Sequence, residues 1–193
     1  MQYKNEKIFF SPSDLITFLE SPFASHMDRS LLEDRNKAEL LDPEDPMLVN
    51  LRQRGFEHEN SFLADLVSEG KNVTEIQNDT TEQMLSKTMA AMADGVEVIA
   101  QAYLQKDNFA GIADFLIKVH GESDFGDYHY EVWDTKLSKK TKPYFAIQLC
   151  SYAEMLENVQ GIRPEKLAVV LGDKKIIELR TLDYYAYFNL LKY

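Results

Sequence analysis

The sequence predicts an α/β fold in which a central mixed β-sheet is flanked by helices. Three observations carry that class. Apolar residues recur at helical spacing over 47–69 and again over 143–159. Between them lie three runs rich in β-branched and aromatic residues, at 96–104, 108–119 and 128–137. A further pair of strand-like runs, 166–171 and 175–180, meets across Gly172-Asp173, and an aromatic-rich helix over 182–193 follows.

In chain order, residues 1–10 read as a short strand or arm ending in Ile8-Phe9-Phe10. Ser11-Pro12-Ser13-Asp14 is a helix start, with a serine cap, proline in the first turn and then an acid. That helix covers 14–19 and stops near Ser21-Pro22; a second short one covers 23–29. The proline-bounded, charged run 33–46 reads as a surface loop. Leu48, Leu51, Phe56, Phe62, Leu63, Leu66 and Val67 mark the long helix, which Gly70 ends. A short strand is expected at 73–76. Thr80 or Thr81 then opens a helix whose Met84, Leu85, Met89 and Met92 suit core packing better than a cofactor box. Residues 105–108 form a hairpin turn, and the polar, glycine-containing run 120–127 reads as a turn into the third strand.

At 193 residues the chain suffices for one domain with a real core. No apolar run reaches membrane-spanning length and the opening residues carry no signal-peptide segment, so a cytoplasmic protein without membrane contact is expected. The lone Cys150 excludes an internal disulfide and a multi-cysteine metal site. A net charge of −11 argues against a general nucleic-acid binder, although the lysines from Lys136 to Lys142 suit a local basic rim. There is no dinucleotide fingerprint, no phosphate-binding P-loop and no nucleophile elbow.

The chemistry concentrates in YHYEVWDTKLSKKTKPYFAIQLCSY, 128–152. At period two, Tyr130, Val132, Asp134 and Lys136 share one face of a strand. An acid and a lysine side by side on an apolar strand are costly unless something pairs with them. Upstream, Asp114 interrupts a second apolar strand, and Gln148 and Tyr152 stand four apart on the following helix. Two acids and a lysine on neighbouring strands suit metal-assisted phosphodiester hydrolysis: carboxylates hold a divalent cation, and the lysine orients water or steadies developing charge. The same acid-x-lysine tripeptide also suits a salt bridge on a solvent-facing strand. His58 is either an ordinary helix histidine or a further ligand, since Mn²⁺ accepts imidazole. Glu59 beside it suits either solvent or an outer role around a metal.

In order, His58, Gly111-Ile112-Ala113-Asp114, Asp134-Thr135-Lys136 and Gln148-x-x-x-Tyr152 resemble the motifs of the PD-(D/E)XK nuclease superfamily in its RecB-like branch. Phe10-Ser11-Pro12-Ser13-Asp14-Leu15, Ser21-Pro22-Phe23-Ala24, Gly55-Phe56-Glu57-His58-Glu59 and the run from Gln148 to Leu156 extend the likeness to a bacterial family of RecB-type nucleases, over nearly the whole chain. The resemblance implies the restriction-endonuclease-like fold and a Mg²⁺- or Mn²⁺-dependent nuclease, with exonuclease relatives, acting on single- or double-stranded DNA in repair, recombination or defence. It implies Asp114, Asp134 and Lys136 as catalytic residues. His58, Asp114, Asp134 and the Thr135 carbonyl would be metal ligands, and Gln148 and Tyr152 would face the substrate. Ser21 stands where some relatives carry a cluster-binding cysteine, and no C-terminal cysteines exist, so no iron–sulfur cluster is expected. The alternative from another class is a catalytically silent nucleic-acid-binding or scaffolding module of the same fold. The resemblance and the apolar end of the last helix also lead us to expect that residues 1–193, one RecB-like nuclease domain, form the N-terminal part of a longer chain with a second exonuclease-like or helicase domain.

Overall fold

The computed structural model describes residues 1–4, 7–34, 36, 37 and 43–192. Six strands form one mixed sheet in sequential order: β3 (Val73–Glu75), β4 (Val98–Lys106), β5 (Phe109–Ser123), β6 (Gly126–Thr135), β7 (Lys166–Val170) and β8 (Ile176–Arg180). The β3–β4 and β6–β7 pairs are parallel and the other three antiparallel. A separate hairpin, β1 (Gln2–Lys4) with β2 (Lys7–Phe9), precedes them. The helices are α1 (Pro12–Glu20), α2 (Pro22–Glu33), α3 (Pro46–Ser68), α4 (Thr81–Ala93), α5 (Pro143–Gln160) and α6 (Thr181–Lys192). No described helix is long and apolar enough to cross a membrane.

Local chemistry sets the helix ends. Ser11 accepts from the Asp14 backbone while Asp14 accepts from the Ser11 backbone, a reciprocal capping box that starts α1 at Pro12. Thr80 caps α4, and Gly70 and Gly161 take left-handed backbone after α3 and α5. The expected loop at 33–46 lies partly outside the described residues, as does the last residue of the closing helix.

Two apolar clusters line the sheet's two faces. The larger joins Ile99, Leu116, Val132 and Val169 to Met84 and Met92 of α4 and to most of α5. Leu15 of α1 and Phe188 of α6 close over it from outside. Helix α5 is buried on nearly every side, which explains its weak amphipathicity. The smaller cluster joins Phe62 and Leu66 of α3 to Val98, Ala100, Phe115 and Val170. Successive strand residues thus divide between the faces, as pleating requires.

One expected boundary is wrong. The polar run 120–127 is not a long turn: β5 continues to Ser123, β6 begins at Gly126, and Ser123 pairs with Gly126. Backbone pairing there needs no run of apolar side chains: Phe125 reaches the core and Asp124 N donates to Gln160 O at the end of α5, while most neighbouring side chains are exposed.

A fully buried side chain completes β6 where β7 does not reach. The Gln160 carbonyl accepts from Tyr130 N at 2.9 Å, and its amide donates to Tyr130 O and Ile162 O, each at 3.1 Å. The amide thereby imitates one rung of a neighbouring strand. Gln160→Leu strands both Tyr130 backbone groups in the core, so chemical denaturation should show a loss of about 2–4 kcal/mol. An unchanged midpoint would mean that the rung is dispensable.

Candidate active site

The site begins where two strands part. Pairing between β5 and β6 ends at Phe115 opposite Trp133. Continuing that register by one residue sets Asp114 opposite Asp134. Here the Asp114 Oδ2 accepts from the Thr135 backbone N at 2.8 Å and from its hydroxyl at 3.0 Å. A side-chain carboxylate takes the place that a β5 backbone carbonyl would fill. Strand β6 has meanwhile turned to β7: Asp134 pairs with Val169, and Lys136 N donates to Val170 O at 2.8 Å.

The partner rung on β4 is distorted as well. Ala100 and Phe115 belong to the α3 cluster, whereas Ala102 and Ala113, two residues away, belong to the α5 cluster. The change of face falls on Gln101 and Asp114. Gln101 has φ 55, left-handed backbone that costs a non-glycine residue about 1–2 kcal/mol. Its amide donates to the Glu59 carboxylate on α3.

The period-two file on β6 stands as the sequence predicts. Tyr130 and Val132 are fully buried and Asp134 is 4% exposed. The Lys136 ammonium lies 2.5 Å from Asp134 Oδ2. That contact is an ion pair, and it sets the ammonium directly against the buried carboxylate oxygen. The Lys136 ammonium also sits 5.5 Å from the Phe145 ring centre. A solvent-facing salt bridge is therefore not what this strand holds.

Two helices close the walls. From α5 come Gln148 and Tyr152. The Tyr152 hydroxyl donates to Ile112 O at 2.6 Å, which leaves the oxygen free to act toward the cleft as an acceptor only. Gly111 permits this closeness: a Cβ there would come within 2.8 Å of Pro12 and 2.9 Å of the Tyr152 hydroxyl. From α3 come Arg52, Gly55, Phe56 and Glu59, whose spacing puts them on one helix face. The open cleft between these walls measures about 310 Å³. Lys139, Lys140 and Lys142 are exposed on the following turn. Compared with protein-family models and with curated proteins, the chain finds no match, so its chemistry is read from these side chains.

Burial and like charge dominate the electrostatics. Burial lifts the Glu59 carboxyl to about 7, aided by Asp114 and Asp134 and opposed by the Gln101 hydrogen bond. Burial also holds the Asp134 carboxyl well above the usual range; Asp114 adds to this and Lys136 opposes it. Burial alone would lower Lys136, but the Asp134 and Asp114 carboxylates outweigh it and keep the side chain an ammonium. Burial, then the same two acids, lifts Tyr152 far up, so it stays a neutral phenol.

His58 does not join this group. It is half-buried on α3 with Nε2 lacking a hydrogen-bond partner, and from that stretch of α3 Glu59, not His58, lines the cleft. Among the described residues no three His, Cys, Asp or Glu side chains converge tightly enough to form a metal cage. The donor set still suits a Mg²⁺-like ion, which needs only one or two carboxylates and keeps several waters. Asp134, buried and pressed by Asp114 although paired with Lys136, is the carboxylate that a further positive charge would relieve most.

The sequence left Glu59 open between solvent and an outer role around a metal, and the structure puts it on the cleft wall. Phe62 and Leu66 mark the buried face of α3, and His58 and Glu59 flank that face on opposite sides, so periodicity alone does not choose between them.

The raised Glu59 carboxyl makes stability depend on pH. A folded-state value above the unfolded one means that the native protein holds the extra proton between about 4.5 and about 7. Stability contributed this way falls as the pH rises through that window. Denaturation in EDTA should show the wild type losing stability relative to Glu59→Gln from pH 4.5 to 7. Parallel profiles for the two proteins would count against the burial of Glu59 beside the acids.

Proposed function

We propose that this chain is a Mg²⁺- or Mn²⁺-dependent nuclease with the PD-(D/E)XK fold of the RecB-like branch, hydrolysing DNA phosphodiester bonds. The observation that carries the reading is the buried Asp134–Lys136 pair opposite Asp114, at the parting of two strands, open to a cleft. The sheet order supports it too: an antiparallel β4–β5–β6 meander, then α5 crossing over to β7 parallel to β6.

Asp114 and Asp134 would hold the cation, with the Thr135 carbonyl as a further oxygen. When bound, the ion supplies an activated water and neutralises phosphoryl charge. The chain's own residues do the positioning. The Thr135 N–H and hydroxyl fix the Asp114 carboxylate, leaving its Oδ1 for the cleft. Lys136, kept charged by its neighbours, steadies the attacking water and the charge that develops on phosphorus. As the water oxygen bonds to phosphorus, the bond to one sugar oxygen breaks and that oxygen takes up a proton. Gln148, half-buried on the opposite wall, is placed to donate to a phosphate oxygen.

Labelled single- and double-stranded DNA and RNA, incubated with Mg²⁺, Mn²⁺ or EDTA, test the reading. Cleavage with either metal and none in EDTA is the expected result. Asp114→Ala and Lys136→Ala should each lower the rate at least about a hundredfold, the scale of losing one charge-stabilising group. Only Asp114→Ala should weaken metal binding by calorimetry, and both should keep the wild-type circular dichroism. Binding without cleavage by the wild type would favour the silent module instead.

A further inference from the structure

We infer that two copies of this chain dock through the first three turns of α3, paired antiparallel. The face of α3 that packs on the sheet continues past the sheet. Phe62 and Leu66 are buried against it. In alternating steps of four and three residues, the same stripe runs back from Phe62 through His58, Gly55, Leu51 and Leu48. Leu48 is 51% and Leu51 40% exposed, and every residue from Pro46 to Arg54 is exposed. A helix in a protein draws most of its stability from packing an apolar face, and among the described residues that face lies open here. Gly55 sharpens the point. Glycine weakens a helix interior, and a Cβ at this position would meet no atom within 4 Å. Among the described residues nothing calls for glycine there, whereas the close approach of a second backbone does.

The charges select the occupant and its direction. A net charge of −11 makes most of the surface repel a second copy. From Pro46 to Gly55 no acid stands, and Arg52 and Arg54 do. Glu44 and Asp45 lie just before the helix, so the segment is acidic at its start and basic two turns on. Antiparallel pairing of two copies brings each acidic end to the other's basic end, whereas parallel pairing sets like charges together. With Leu48 opposite the partner's Leu51, symmetry sets Leu51 opposite the partner's Leu48. Asp45 then falls beside the partner's Arg52, and Gly55 meets the partner's Glu44. The Arg52–Glu44 ion pair within the chain is exposed on both sides and costs little to rearrange. Arg52 and Gly55 also line the acid cleft, so the second copy reaches its rim. A contact of three turns is at the small end of protein interfaces, so the dimer is weak and depends on concentration. None of this depends on whether the chain cleaves DNA.

Sedimentation velocity on the whole chain, from about 5 to about 500 µM, measures the association. The wild type should pass from monomer towards dimer across that range. Leu51→Asp should raise the dissociation constant at least about tenfold, because it buries an unpaired charge in the contact. Residue 51 is exposed in the single chain, so the circular dichroism of this variant should stay that of the wild type. Arg52→Glu with Arg54→Glu makes the segment acidic at both ends. Glu44→Lys with Asp45→Asn makes it basic while keeping a helix cap. Each charge variant alone should associate less than the wild type, and an equimolar mixture of the two should restore the dimer. A wild type that stays monomeric throughout overturns the inference and leaves the stripe to a different protein. A dimer indifferent to Leu51→Asp, or a mixture of the charge variants that stays monomeric, overturns it equally.

Discussion

Two carboxylates and one ammonium share the space where β5 and β6 separate, and much of the surrounding structure answers to that charge. Asp134 is nearly sealed from water, so its ionised form survives only against a cation. Lys136 is near enough to serve, yet it answers one acid while Asp114 and Glu59 add two more. The imbalance is relieved by protons, held on Glu59 and Asp134 well above the usual carboxylate range, or by a divalent ion. Asp114 accepts two hydrogen bonds from Thr135, which replace a missing backbone rung.

Holding strands apart in a sheet exposes backbone groups that need partners. At one end of β6, Asp114 and β7 provide them; farther back along the strand, the Gln160 amide does. The α5 helix that carries Gln160 also carries Tyr152, whose hydroxyl ties down Ile112 beside the other acid. The middle and the C-terminal end of one buried helix therefore support the rungs that aim the site. This links core packing to geometry: a shift of α5 would move Tyr152 and Gln160 together.

Much of this was legible in the sequence because it follows from short-range rules. The serine cap with Asp14 three residues on, the Thr80 cap, and the period-two file from Tyr130 to Lys136 each require only neighbours in the chain. The placing of Asp114 and Asp134 on neighbouring strands followed from two apolar strand patterns joined by a turn. The extent of that hairpin was hidden because residues 120–127 are mostly polar, and a lone Phe125 is too short a hydrophobic record to mark paired strands. The choice between His58 and Glu59 was hidden too, since they flank the same buried stripe and only the sheet's position separates them. The reversal of strand faces at Gln101 has no local signal, because glutamine ordinarily avoids left-handed backbone.

That last residue sets opposing demands at a single position. Its backbone would be eased by glycine, and asparagine tolerates the same angles better than glutamine does. Glycine has no amide to reach the Glu59 carboxylate, and asparagine is one methylene short. The side chain long enough to hold α3 to the sheet is thus among those the backbone accepts least readily, so substitutions that relax the main chain loosen the cleft wall. Thermal resistance and a well-placed α3 cannot both be improved at residue 101.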